Sequence, residues 1–372
     1  MNLRDRIIRL EQTSASSSDY IEAVIKEIRT AIPFTASCCT AVDPETLLSI
    51  GSITDDQVES IHHQLFQSEY QDQDYNQYKA MINTQKTAAI LSEAAKGQIE
   101  RSKRYQNILK PAGLEDELRA VLMTKGKCWG YITLLRRSGE PFFQPEERDL
   151  LAASAPIISS ALRQFRLELP NGTTQRIQDT GILIMSRTLG IISHNQTARK
   201  WLTILRKWEK TDSETLPRPI RAVCTNALEN STAKVLITIP DHPYLLLKAS
   251  LLKSTTEPGQ IAVSFEPAAP PDTMPLLIDA CGLTERETDI TDRIIRGLST
   301  KEIAEDLHIS AYTVQDHLKS IFAKTETGSR RELMWKMLYW NKHNACRSIS
   351  GLFIILEQAH PGAQWHPVFQ KC

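Results

Sequence analysis

The sequence predicts an α+β multidomain protein in which domains built on antiparallel sheets are followed by an all-α domain of four helices. Three observations lead to this prediction. The chain has 372 residues, which is enough for two or three domains. Strand-like and helical runs alternate as far as residue 266, whereas only helical patterns follow residue 283. The segment PAAPPDTMP, residues 267–275, separates the two parts.

The composition is that of an ordinary soluble globular chain, with 41% hydrophobic and 24% charged residues. Lys and Arg total 44 and Asp and Glu total 44, so net charge alone predicts no nucleic-acid, membrane or acidic partner. No apolar run approaches the ~18 residues of a membrane span, and no secretion signal is evident. We therefore expect a cytoplasmic protein without a membrane partner. The seven cysteines include no CxxC pair, which favours reduced thiols over a zinc site.

Residues 1–170 form the first predicted domain. Helical patterns at its start are followed by strand-like SCCTAVD and by ELRAVLMTKGKCWGYITLLRR, which predicts a hairpin around Lys125-Gly126-Lys127. A long helix is expected from Pro145, because proline is favoured at the first helical position. The pattern predicts an antiparallel sheet with flanking helices.

Residues 176–266 form the second predicted domain. The runs GILIMS, GIISHN, KVLITI, YLLLKASLL and QIAVSFE are strand-like, and ARKWLTILRKW is helical. This pattern predicts a small antiparallel sheet with helices on one face. Residues 267–282 read as a Pro-rich linker, since proline fixes φ and removes a hydrogen-bond donor. We assign no role to the tail, residues 341–372.

Residues 283–340 carry the most specific signals. Capping boxes begin at Thr284, Ser299 and Ser329, each with Glu three positions later, and Ser310 offers a fourth cap. The hydroxyl of a capping box accepts an unpaired N–H of the first turn, and the Glu bonds back to the cap. Each cap precedes an apolar stripe of helical period, which predicts four amphipathic helices packed on one another.

The second and third of these helices are separated by a very short connection, the pattern of a helix-turn-helix. In the third helix, residues 311–324, Val314 and Leu318 lie on the inner face. The outer face carries Tyr312, Gln315, Asp316, Lys319 and Ala323. An α-helix fits the major groove of DNA, where Gln can bond adenine, Lys can bond guanine and Asp can accept from cytosine.

These residues alone leave two interpretations open. Helix pairs of this kind also occur in plain bundles, whose solvated faces carry Gln, Asp and Lys. The segment 283–340 holds nine Lys or Arg and ten Asp or Glu, so its charge does not favour DNA. DNA binding and a bundle that only dimerises therefore remain as alternatives.

The run from Leu283 to Leu333 resembles the LuxR/GerE-type helix-turn-helix domain. The matching pieces include LTERE, GLSTKEIA, IS and TVQDH, followed by Lys324 and Ser329-Arg330. After Lys324 the family usually has an apolar residue, Gly and another apolar residue, whereas this chain has Thr325-Glu326-Thr327.

The resemblance implies a third helix in the major groove and a fourth helix at a dimer contact. It implies base contacts by Gln315, Asp316 and Lys319. Together with the caps, it assigns phosphate contacts to Ser299, Thr300, Lys301, Ser310, Thr313, Lys324, Ser329 and Arg330. The implied dimer interface consists of Leu333, Met334 and Met337.

The N-terminal regions resemble sensory modules. Residues 1–170 are similar to GAF domains, and residues 176–266 are more weakly similar to PAS domains. Such modules bind small molecules or mediate dimers, and we assign no ligand-binding residue. A GxxxxGK[ST] loop and the acidic pair of a receiver domain are missing from the sequence.

The sequence thus predicts a bacterial, sequence-specific transcriptional regulator that binds double-stranded DNA as a homodimer. We expect RNA polymerase as a partner and a small-molecule effector acting on the N-terminal region, with no cofactor or metal. We do not expect an enzyme, because no nucleophile, base and orienting group occur together. The alternative is a signalling or scaffold protein whose C-terminal helices only dimerise.

Overall fold

The computed structural model describes residues 2–71, 73–166, 177, 179–209, 211–212, 214–239, 244–253 and 259–339. The tail 341–372 lies outside these ranges. Within them, no helix combines the length and apolar character needed to cross a bilayer. The predicted α+β class is confirmed, since two five-stranded antiparallel sheets with flanking helices precede a set of packed helices.

The first unit contains one sheet and seven helices in the part of the chain described. Its strands are β1 (Ala36–Val42), β2 (Ser49–Thr54), β3 (Ala88–Ile90), β4 (Leu114–Thr124) and β5 (Lys127–Arg137). Its helices are α1 (Leu3–Thr13), α2 (Ser17–Ala31), α3 (Asp56–Glu59), α4 (His62–Gln71), α5 (Tyr78–Asn83), α6 (Leu91–Ala94) and α7 (Pro145–Phe165). A 3₁₀ turn and a π-helical turn precede β4, at Ile99–Arg101 and Tyr105–Leu109. The strand order is β2-β1-β5-β4-β3.

The predicted hairpin is formed by β4 and β5. Lys125 and Gly126 connect the strands with φ of 49° and 77°, the left-handed conformation that a two-residue hairpin turn requires. The predicted long helix α7 begins with Pro145 and packs along one face of the sheet. There Ile158 and Leu162 share a core with Trp129 of β5.

The second unit repeats this arrangement. Its strands are β6 (Gly181–Met185), β7 (Ile191–His194), β8 (Thr232–Ile237), β9 (Leu245–Leu252) and β10 (Gln260–Pro267). Its helices are α8 (Gln196–Glu209) and α9 (Arg218–Asn230). The order β7-β6-β10-β9-β8 is that of the first sheet when each is numbered from its own first strand. Helices α8 and α9 cover one face through Trp201 and Val223, as the sequence predicts.

The two units are joined through common cores. Leu48 and Ile50 of the first unit pack among the apolar residues of the second, while Leu246 of the second packs in the first. The hydroxyl of Tyr244 donates to the carbonyl of Arg166 at 2.5 Å. Because apolar residues of each unit complete the core of the other, the two units pack as one body.

The predicted Pro-rich linker is instead a helix, α10 (Pro270–Cys281). Pro270 and Pro271 are tolerated because they lie in the first turn, where backbone N–H groups have no helical partner, whereas Pro275 lies inside the helix. Asp272 accepts from the N–H of Ala269 at 2.9 Å, and Gly282 ends the helix with φ of 66°. Leu276 packs into the core of the first unit and Leu277 into that of the C-terminal helices. Because the helix is buried on two sides, it connects the first unit to the C-terminal helices.

The C-terminal part consists of α11 (Glu285–Ile295), α12 (Thr300–Asp306), α13 (Ala311–Thr325) and α14 (Arg330–Tyr339). The predicted capping boxes at Thr284 and Ser299 are formed, and Ser310 caps α13. The third box is only half formed. Ser329 accepts from the N–H of Glu332, but the Glu332 carboxylate accepts from the N–H of Gly328 instead of Ser329.

Candidate nucleic-acid interface

Helix α13 has one buried face and one exposed face. Val314 and Ile321 are fully buried and Leu318 is nearly so, packed against the other C-terminal helices. Gln315 and Asp316 are exposed on the opposite face. The exposed side chains are those that the sequence assigns to base contact, and no other element of the described structure covers them.

The predicted base contacts interact with one another. The Lys319 ammonium donates to the Asp316 carboxylate at 3.0 Å, and the Lys319 side chain remains 76% exposed. An exposed pair of this kind is worth little in water, so either side chain can exchange its partner for a base edge. Gln315 lies beside this pair, and its amide, which has no hydrogen bond to another described residue, can donate and accept.

The turn into α13 orients its first N–H groups outward. His308 adopts a left-handed φ of 52°, which reverses the chain after α12. The Ser310 hydroxyl then accepts from the N–H of Thr313 at 3.0 Å and lies 2.8 Å from the Thr313 hydroxyl. A capped helix N-terminus with two exposed hydroxyls suits a phosphate group.

The predicted phosphate contacts fall into two groups. Ser299, Lys301, Ser310 and Ser329 are exposed, and the half-buried Thr313 belongs with them through its contact with Ser310. Lys301 has no ion pair with another described residue. Lys324, Thr300 and Arg330 are instead engaged inside the domain. The structure therefore gives this second group a bracing role that the sequence did not reveal.

Lys324 is part of a cluster around Glu287. The buried Glu287 carboxylate accepts from the Lys324 ammonium at 2.6 Å, from the Ser320 hydroxyl at 2.6 Å and from the N–H of Thr284 at 2.7 Å. Burial acts to raise the pKa of Glu287, but these hydrogen bonds outweigh it and lower the pKa to about 2. The cluster ties the start of α11 to the end of α13.

Arg330 ties the start of α14 to the start of α12. Its guanidinium donates to the Thr300 hydroxyl at 3.1 Å and to the carbonyl of Leu298. Partial burial lowers the pKa of the Arg330 guanidinium. Thr300 is occupied by the same contact, so both side chains hold the helices together.

The turn between α13 and α14 explains how this chain departs from the family pattern. Glu326 takes the position of the usual glycine, with a left-handed φ of 51°. Thr325 and Thr327 take the two apolar positions and are buried. Their hydroxyls lie 2.9 Å apart, and that of Thr325 also donates to the carbonyl of Ile321 at 2.7 Å. Mutual hydrogen bonding satisfies the two buried hydroxyls.

Two of the three residues of the predicted dimer interface lie inside the core of their own domain. Leu333 is fully buried and Met337 is 1% exposed, both inside the core of their own domain. Met334 is half-buried against the same core. A domain of this size needs both residues of the i, i+4 stripe to close its core, so they are not available to a second chain. Helix α10 also packs against α14, and its Leu277 lies in the same core.

Tyr312 is a large exposed residue of α13 to which the sequence pattern assigns no DNA contact. Tyr312 lies in the first turn and is 71% exposed. Its spacing of three and four residues from Gln315 and Asp316 puts it on the same face. The helical period had already placed Tyr312 on the outer face, but the sequence assigned it no contact.

Comparison with known proteins gives a specific match to this part of the chain. Residues 282–337 match the model of the GerE family, described as bacterial regulatory proteins of the luxR family. Over 52 residues the chain is 48% identical to a monoamine regulon transcriptional regulator of Klebsiella aerogenes, a match that covers 14% of this chain and 23% of that protein. The chain therefore spans less than a quarter of this curated relative.

Solved structures show weaker similarity over longer stretches. Escherichia coli SdiA aligns with a TM-score of 0.33 and 10% identity, covering 89% of this chain and 93% of that one. The GAF domain of an Acinetobacter phosphoenolpyruvate-protein phosphotransferase aligns with a TM-score of 0.30 and 11% identity, covering 44% of this chain and 92% of that one. The specific similarity thus lies in the C-terminal helices, where residues 282–337 match the helix-turn-helix domain of the luxR family.

Proposed function

We propose that this protein is a sequence-specific, DNA-binding transcriptional regulator whose helix α13 reads the major groove. The observation that supports the proposal most strongly is the division of α13 into a buried apolar face and an exposed face bearing Gln315, Asp316 and Lys319. These three side chains together can donate to and accept from base edges. The relative from Klebsiella aerogenes, named as a transcriptional regulator, supports the same function.

Contacts to the DNA backbone come from the exposed group of predicted residues. Lys301 supplies a positive charge, while Ser299 and Ser310 supply hydroxyls at the N-termini of α12 and α13. Lysine charges and helix N-termini are the usual partners of phosphate and carry no sequence information. With as many acidic as basic residues in the chain, binding depends on this local arrangement and not on net charge.

The regulator acts as a homodimer on a site with two related halves, about one helical turn apart. Its dimer contact does not involve Leu333 or Met337, because both are used in the core of their own domain. Once bound beside a promoter, such a dimer acts on RNA polymerase.

The N-terminal units control the C-terminal domain through the region around α10. The tip of the β4–β5 hairpin reaches the end of this helix, where the Lys127 ammonium lies 3.3 Å from the Asp279 carboxylate. From α7, the Arg163 guanidinium donates to the carbonyl of Ala280. The side chain of Lys125 lies directly over Gly282. A small molecule or other signal that moves the hairpin would therefore move the helix that packs on α14.

Selection from a pool of random DNA duplexes tests the proposal with the full-length protein. We expect the wild type to enrich a site with dyad symmetry, and the double variant Gln315→Ala, Lys319→Ala to lose that enrichment. Lys301→Ala serves as the comparison. It should weaken binding to all sequences alike and reduce the slope of log K against log salt by about 0.9 for each subunit of the dimer.

The alternatives predict other results. If the wild type enriches no sequence, the DNA-binding proposal fails. If deletion of residues 283–339 then abolishes dimers, the scaffold interpretation is favoured. If the double variant enriches the same site as the wild type, α13 is not the reading helix.

A further inference from the structure

Tyr312 is an aromatic side chain that is exposed to solvent. It is 71% exposed, whereas Ile192, the next most exposed large apolar residue in the described ranges, is 52% exposed. Its hydroxyl makes no hydrogen bond to any other described residue. The core of the domain is filled by Val314 and Leu318 from the same helix, so the fold gains nothing from the Tyr312 ring.

The position of Tyr312 in α13 places its ring near the base edges in the proposed complex. It is the second residue of α13 (Ala311–Thr325) and directly follows the turn at His308–Ser310. In a helix-turn-helix, the residues at the N-terminal end of the second helix lie nearest the base edges. Tyr312 is therefore closer to the floor of the groove than Lys319, which lies two turns further along the helix.

The chemistry of the surrounding face is also informative. Gln315, Asp316 and Lys319 offer hydrogen bonds, which suit adenine, cytosine and guanine. Thymine differs from the other bases in the major groove by its C5-methyl group, which is recognised by apolar contact. Among the exposed side chains of this face, the Tyr312 ring offers the largest apolar surface for that contact.

We propose that Tyr312 is a specificity-determining residue whose ring packs on the methyl group of a thymine in each half-site. This inference rests on the proposed function, since it requires α13 to lie in the major groove. It adds a base preference that the hydrogen-bonding residues of the face do not provide.

The test uses full-length protein and the DNA site that the wild type selects from random duplexes. Tyr312→Ala and Tyr312→Phe are compared with the wild type, first in selection and then in mobility-shift titrations. In the titrations, each thymine of the half-site is replaced in turn by deoxyuridine, which removes only the methyl group. Because Tyr312 is exposed and unpaired among the described residues, neither variant is expected to disturb folding, and circular dichroism checks this.

The expected result has three parts. One deoxyuridine weakens wild-type binding about four-fold, the value of one buried methyl group. The same replacement has no effect on Tyr312→Ala, which also loses the thymine preference at that position in selection. Tyr312→Phe behaves as the wild type, because the ring makes the contact.

Two results would overturn the inference while leaving the proposed function intact. Tyr312→Ala could retain the full thymine preference and the deoxyuridine effect, in which case another residue reads the methyl group. Alternatively, Tyr312→Phe could bind every sequence as weakly as Tyr312→Ala, which would assign the hydroxyl to a phosphate. If the wild type selects no site, the proposed function and this inference fail together.

Discussion

Replacing Glu287 by Gln should loosen the contact between α11 and α13 without changing the shape of the side chain. The Glu287 carboxylate is buried and accepts from Lys324, Ser320 and Thr284. Glutamine keeps one oxygen acceptor but removes the charge that pairs with the Lys324 ammonium. The buried cluster would then hold an unpaired ammonium and an amide N–H₂ facing other donors.

The size of the effect follows from the pKa of Glu287. Its fall from 4.5 to about 2 corresponds to about 3 kcal/mol of preference for the charged form in the folded state. The Lys324 side chain is 31% exposed, so solvent screens part of this interaction. We therefore expect the free energy of local unfolding to drop by about 2 kcal/mol.

Amide hydrogen exchange in the full-length protein measures this quantity region by region. A loss of about 2 kcal/mol makes exchange in α11 and α13 about 30-fold faster at neutral pH. Glu302→Gln is the matched control, because Glu302 occupies the same position of a capping box but is exposed. The reasoning is refuted if Glu287→Gln and Glu302→Gln accelerate exchange in α11 and α13 equally.

The same cluster predicts a pH dependence. Because the folded state lowers the pKa of Glu287, its stabilisation is complete above about pH 4.5 and is lost as the pH falls toward 2. The difference in urea midpoint between wild type and Glu287→Gln should therefore shrink over this range. A difference that persists unchanged at the acid end would contradict the assignment.

Two further predictions concern the ends of α13 and α10. Glu326→Gly should stabilise the domain by about 0.5 kcal/mol, since Glu326 has a left-handed φ of 51° that glycine adopts without strain. Slower amide exchange in α14 would show this stabilisation, and faster exchange would contradict it. Arg163→Ala should accelerate exchange in α10 about five-fold, because it removes a charged donor from the carbonyl of Ala280 at the helix end. Lys127→Ala, which removes only a half-exposed ion pair with Asp279, should change it less than two-fold. Equal effects of the two substitutions would argue against the Arg163 contact as the stronger support of the helix.

The sequence by itself determined the features that depend on neighbours along the chain. The caps at Thr284, Ser299 and Ser310 are set by a hydroxyl and an N–H three residues apart. The turn at Lys125-Gly126 is set by the φ that glycine permits. The two faces of α13 follow from helical period alone. Each of these was predicted from the sequence and is present in the structure.

Only the tertiary structure decided the roles that depend on distant partners. The prolines of α10 predict a linker locally, yet Leu276 and Leu277 bury it between two cores and make it a helix. Lys324 and Arg330 read as phosphate contacts, but Glu287 and Thr300, about 30 or more residues away in the chain, engage them inside the domain. Local pattern gives the conformation and the polarity of a segment. Packing between segments that are distant in the sequence decides which partner a long side chain has. It also decides which apolar stripe remains available to another chain.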